Sequence, residues 1–132
     1  ARVLVLERAP EDEAGGNTRF TAGNIRFAYR GVEDLREIMP DLTEAEIAIT
    51  DFGTYTEEQF FDDMFRVTRN RTDPNLCEIL VRRSFGTMKW LRGKGVRFVP
   101  IWGQQAFKID GRFRFWGGLP VGEAVITAEE SG

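Results

Sequence analysis

Glu7 closes a short apolar run, Val3-Leu4-Val5-Leu6. Gly15-Gly16-Asn17-Thr18 and then Thr21-Ala22-Gly23 follow after a charged stretch. These residue types in this order suit the binding of a nucleotide. A carboxylate at the end of a strand accepts hydrogen bonds from ribose hydroxyls. Glycines let backbone amides approach a ligand closely, and successive amides make an anion-binding concavity. Asn17, Thr18 and Thr21 add short polar groups beside them. The same residues also suit a plain surface loop rich in turn formers, and the acid equally suits a solvated strand end. The fingerprint that chooses between these readings, G-x-G-x-x-G, belongs about 20 residues before such an acid, upstream of Ala1.

The elements that must position these residues follow from pattern. Arg2 to Glu7 reads as a strand whose continuous apolar run suits a sheet covered on both faces. Pro10-Glu11-Asp12-Glu13 is a charged loop. Val32 to Met39 is a short helix stopped by Pro40. Thr43 with Glu46, and Thr56 with Gln59, have the spacing of capping boxes. The second box starts the clearest helix, with Phe60, Phe61, Met64, Phe65 and Thr68 on one face. Asp73-Pro74 is an N-cap followed by proline at the first helical position, and Leu76, Ile79 and Leu80 continue that helix inward. Ser84 caps a further helix with Met88 and Leu91, closed by Gly93. Val96 to Val99 is a short strand stopped by Pro100. Ala106–Ile109 and Arg112–Phe115 flank Asp110-Gly111, a strong hairpin signal. Pro120 leads into a last helix, Val121 to Glu129. The fold class is α+β: mainly helical, with a few short strands.

Composition narrows the chemistry. The 132 residues are 42% hydrophobic and 30% charged, which suits one globular domain. A net charge of −3 with no basic tract argues against a nucleic-acid partner. The absence of His removes His-based triads and His-ligated zinc or haem. The one cysteine, Cys77, leaves no internal disulfide, reads as a small core residue, and suits a reducing, cytoplasmic setting. No apolar run reaches the roughly 18–20 residues of a membrane span, and no metal site is expected. A first residue that is not Met and a helix beginning at the end suggest a piece of a longer chain.

VLVLERAPEDEAGGNTRFTAG resembles the second strand and following loop of the flavoproteins related to fumarate reductase and succinate dehydrogenase. YTEEQFFDDMFRVTRNRTDPNLCEILVRRSFGTMKWLRGKGVRF is similar to the segment after that loop, with Trp90-Leu91 and Gly95-Val96-Arg97-Phe98 as landmarks. Within the family, the likeness is to its tricarballylate dehydrogenase branch and to the flavoprotein part of cobalamin-pathway precorrin-3B synthases. The resemblance covers essentially all of this chain but only an early slice of the family's length. It implies a fragment excised from a two-domain FAD-binding α/β flavoprotein that moves a hydride between a small polycarboxylate and flavin. Residues 1–31 would belong to the FAD-binding domain, 32–116 to a helical region with a terminal hairpin, and 117–132 to a helix leading back.

In the family the acid contacts the adenosine ribose, which implies Glu7, with Arg8 adjacent. The GGN turn contacts the phosphate and ribityl region, implying Gly15, Gly16, Asn17 and Thr18. The small-residue run passes near the flavin ring, implying Thr21, Ala22 and Gly23. Many relatives carry a second glycine where this chain has Asn24. No catalytic residue is expected in this slice, and FAD binding by the slice alone should be weak or absent. The expected partners are the rest of the flavoprotein chain and a second copy meeting it through an exposed apolar edge. A self-contained α+β interaction module without catalysis is the rival from another class.

Other residues carry two readings each. Phe60, Phe61 and Phe65 suit a helix core or a pocket wall. Arg82-Arg83 suits a solvated helix face or a carboxylate-binding fork. Arg97, Arg112 and Arg114 face a partner or simply alternate outward on strands. Trp102, Trp116 and Gly117-Gly118 mark either an ordinary turn or a join to the rest of the protein.

Overall fold

The computed structural model describes residues 2–20 and 23–123. Two short 3-10 turns, Glu11–Glu13 and Gly16–Phe20, precede helix α1 (Val32–Ile38). Then come α2 (Glu44–Ala48), β1 (Thr50–Asp51), α3 (Glu57–Thr68), α4 (Pro74–Gly93), β2 (Phe98–Pro100), α5 (Trp102–Gln105), β3 (Ala106–Ile109), β4 (Arg112–Phe115) and β5 (Val121–Glu123). The α+β expectation holds.

The helix starts follow their capping chemistry. The Thr43 hydroxyl accepts from the Glu46 amide, and the Glu46 carboxylate accepts from the Thr43 amide. Thr56 and Gln59 do the same for α3. Asp73 accepts from the amides of Asn75 and Leu76 ahead of Pro74. The hairpin forms as its Asp-Gly turn dictates, with Asp110 and Gly111 both at positive φ. β1 adds in parallel to β4, giving the order β1-β4-β3, and β2 pairs antiparallel with β5 in a separate ribbon.

The core gathers Phe27, Tyr29, Leu35, Ile38, Met39, Phe52, Tyr55, Phe60, Cys77, Val81, Met88, Phe98 and Val121. Cys77 is a core residue, as expected, although Leu76 and Ile79 beside it in sequence are exposed.

Five expectations are corrected. Arg2 to Glu7 forms no strand, and Val3, Leu4, Val5 and Leu6 are 80% to 85% exposed, because no described strand pairs with the segment. Ser84 does not cap a new helix: α4 runs unbroken through it, and its hydroxyl donates to the Val81 carbonyl instead. The inward side of α4 is Cys77, Val81, Ser84 and Met88, so Leu76, Ile79 and Leu80 point outward, a third of a turn away. Val121–Glu123 is a strand, not the start of a helix, because its backbone completes the ribbon with β2. That ribbon also carries β2 through Pro100, which is tolerated where a strand has a free edge.

Candidate functional site

The glycine-rich loop is organised by Glu7. Its Oε1 accepts from the Ala9 amide at 2.9 Å and its Oε2 from the Gly15 amide at 2.8 Å. These backbone donors, with the Arg8 amide, hold the exposed carboxyl below the usual carboxylate range, so it stays an ionised acceptor. Each oxygen has lone-pair capacity left after one amide bond. Gly15 (φ +93°) and Gly16 (φ +49°) then turn the chain in the left-handed region that favours glycine. A side chain at Gly16 would meet nothing within 4 Å, so this turn is open on its outer side. Asn17 and Thr18 lie in the Gly16–Phe20 turn, and Arg19 ties it back by donating to the Asp12 carbonyl at 2.6 Å. Gly23 is at φ +74°. Thr21 and Ala22 lie outside the described residues. Arg8 is exposed. Thus the structure joins Glu7 to Gly15, with Gly16, Asn17 and Thr18 continuing the same turn.

The loop is anchored at its far end. Asn24 bridges Gly122, the Phe27 amide donates to the Gly118 carbonyl, and Tyr29 exchanges backbone bonds with Tyr55. Gly122 is required by crowding: a Cβ there would stand 2.8 Å from Ile101 Cγ2 and 3.4 Å from both Asn24 Oδ1 and the Gly23 carbonyl. Asn24 Oδ1 is buried there with no hydrogen-bond partner among the described residues.

Beside this anchor is a cluster that sequence reasoning missed. The Tyr55 hydroxyl donates to Asp63 Oδ2 at 2.7 Å and accepts from Arg26 at 3.0 Å. Arg26 pairs with Asp63 at 3.2 Å, and Arg66 closes on Asp63 Oδ1 at 2.5 Å. The bond from Arg66, then that from Tyr55, holds the Asp63 carboxyl low. Burial and the bond to Asp63 push the Tyr55 phenol up. One signal was present: Tyr55 directly precedes the Thr56 cap and packs on Phe60 at 5.5 Å between ring centroids, as in a hydrophobic staple.

A cavity of about 480 Å³ opens between the Ala28–Arg30 segment, the start of α3 and the middle of α4. Arg82 lies on it but pairs with Glu57 at 3.2 Å and Glu78 at 2.8 Å, which favours the solvated-face reading of Arg82 over an anion fork. Arg97 pairs with Asp41, Arg114 with Asp51, and Arg112 donates to the Thr50 carbonyl. All three are therefore held within the fold. Gly117 and Gly118 pack on Tyr55, and Trp102 donates to the Thr50 hydroxyl. No group of His, Cys, Asp or Glu among the described residues is arranged to hold a metal ion, and no described helix is long and apolar enough to cross a membrane.

No protein-family model matches the chain, and no solved structure matches it. The chain is 23% identical over 126 residues to a fumarate reductase (cytochrome) from Shewanella frigidimarina, and equally to one from Shewanella frigidimarina strain NCIMB 400. The match takes in 96% of this chain but only 19% and 18% of theirs, so the chain spans about a fifth of the length of the curated relatives it matches. It is distantly similar, along nearly all its length, to part of a fumarate reductase.

Proposed function

We propose that this chain is a segment of an FAD-dependent oxidoreductase acting on a small polycarboxylate, in the manner of tricarballylate dehydrogenase. The observation that carries the reading is the bond from the Gly15 amide to Glu7, which makes the acid and the glycine turn one unit. The distant similarity to fumarate reductase supports it. The residues fit a dinucleotide. An ionised Glu7 with spare lone pairs suits ribose hydroxyls, and the open turn at Gly16 leaves room for a phosphate against bare backbone.

On this reading Glu7 holds the adenosine ribose, with Arg8 beside it. Gly15, Gly16, Asn17 and Thr18 take the phosphate and ribityl region, and Thr21, Ala22 and Gly23 pass near the ring. Bound FAD would supply the hydride chemistry, while the protein positions and polarises. This segment binds and orients, and the acid–base group lies elsewhere in the longer protein.

The test is flavin content. The longer protein should purify with a visible flavin spectrum, and Gly16→Val or Asn17→Ala should lower its flavin occupancy. A preparation that carries no flavin and takes up none from added FAD overturns the proposal. The 132-residue chain, titrated with FAD by calorimetry and flavin fluorescence, should bind weakly or not at all. Turnover of a tetrapyrrole rather than a polycarboxylate would keep the cofactor and overturn the substrate class.

A further inference from the structure

Helix α4 is apolar on two sides. Cys77, Val81, Ser84 and Met88 face the core. Leu76, Ile79, Leu80, Arg83, Thr87 and Trp90 share an outer arc of roughly a third of the circumference at 3.6 residues per turn. Along it Leu76 is 67% exposed, Ile79 53%, Leu80 49% and Trp90 60%. A helix with two apolar faces, here about a third of a turn apart, is one packed against two neighbours. Only one of those neighbours is among the described residues. Gly86 leaves a notch in the outer side, where a Cβ would meet nothing within 4 Å. The notch opens into a groove of about 370 Å³ lined by Arg82, Arg83, Thr87 and Trp90.

Charge indicates what fits there. From Arg82 onward the helix and its cap carry Arg82, Arg83, Lys89, Arg92 and Lys94 and no acid. Arg82 and Lys89 have acidic partners, whereas Arg83 and Arg92 have none among the described residues. A covering surface should therefore be apolar and edged with carboxylates. Its source follows from length, since the matched relatives are about five times as long as this chain.

We propose that the outer face of α4 is an intramolecular interface, covered by the remainder of the longer chain through an apolar surface edged with carboxylates. This rests on the reading above that the chain is a segment of a larger oxidoreductase.

The test uses the longer protein carrying Leu80→Cys or, separately, Thr87→Cys, with alkylation at each position followed by peptide mass mapping. Alkylation in the native protein should run at least roughly ten-fold slower than in denaturant, at every protein concentration. Equal rates overturn the proposal, because the face is then open. Protection that appears only as concentration rises assigns the face to a second copy and also overturns it. Flavin content, read on the same samples, separates the two proposals. Flavin with an open face defeats only the interface, and a covered face without flavin defeats only the cofactor reading.

Discussion

Gly118 backs directly onto the ring of Tyr55: a Cβ on Gly118 would lie 2.5 Å from ring carbons Cδ1 and Cε1. Gly118 also sits at φ +71°, so a side chain there is crowded and strained at once. Gly118→Ala should cost about 2–4 kcal/mol, from overpacking together with the left-handed backbone. Urea denaturation should show a lower midpoint with little change in slope. Gly86→Ala, where a Cβ finds open space inside a helix, should instead raise stability by about 0.5–1 kcal/mol.

Asp63 makes the cluster around Tyr55 sensitive to acid. Its native carboxyl is held low, first by Arg66 and then by the Tyr55 hydroxyl. A group with a lowered native pKa adds stability above its unfolded pKa, near ~3.9, and loses it as pH falls through the native value. Asp63→Asn should cost about 1 kcal/mol at neutral pH, the charged bonds being screened at a partly exposed site. The difference between the two proteins should shrink below pH ~4. Denaturation across pH 7 to about 2.5 checks this. A constant difference would show that charge is not the cause.

Ser84 holds two segments together inside the fold. Its hydroxyl accepts from the buried Ala28 amide at 3.0 Å while donating to the Val81 carbonyl at 2.8 Å. Ser84→Ala leaves that amide without a partner and should cost about 1–3 kcal/mol. Thermal denaturation measures the loss, and hydrogen exchange should speed up at Ala28.

Glu7 is fully exposed, so its removal should alter local order rather than global stability. In Glu7→Ala the amides of Ala9 and Gly15 lose their acceptor and should exchange faster by NMR. The denaturation midpoint should stay where it was.

The unpaired run Val3 to Leu6 presents apolar side chains and a free backbone edge. The isolated chain should self-associate, with an apparent mass in sedimentation that rises with concentration. Leu4→Lys with Leu6→Lys should return it to a monomer, because edge lysines block strand pairing.

What was legible in the sequence was local. The caps at Thr43, Thr56 and Asp73 and the Asp110-Gly111 turn act on neighbouring backbone, so spacing alone revealed them. What escaped depends on partners far along the chain. Val3 to Leu6 has strand composition, but a strand exists only beside another. Val121 to Glu123 reads as a helix start until Phe98, Val99 and Pro100 pair with it. Ser84 resembles an N-cap, yet its hydroxyl is claimed by Ala28, a residue from a different element. In the candidate site, Glu7 and the glycines stood out by type. Tyr55, Arg26 and Asp63 meet only once the fold brings them together.

The bridge between Asn24 and Gly122 carries a consequence for the order of assembly. About three quarters of the chain separates the two residues, and pairings of that span are slow because a long loop must close before they form. During synthesis at about 5–20 residues per second, the glycine turn emerges before the strand that anchors it and waits for it. The caps, helices and hairpin can settle in the meantime from local contacts. The glycine turn is thus made well before it is secured, and a nascent chain halted before Gly122 would expose it throughout the pause.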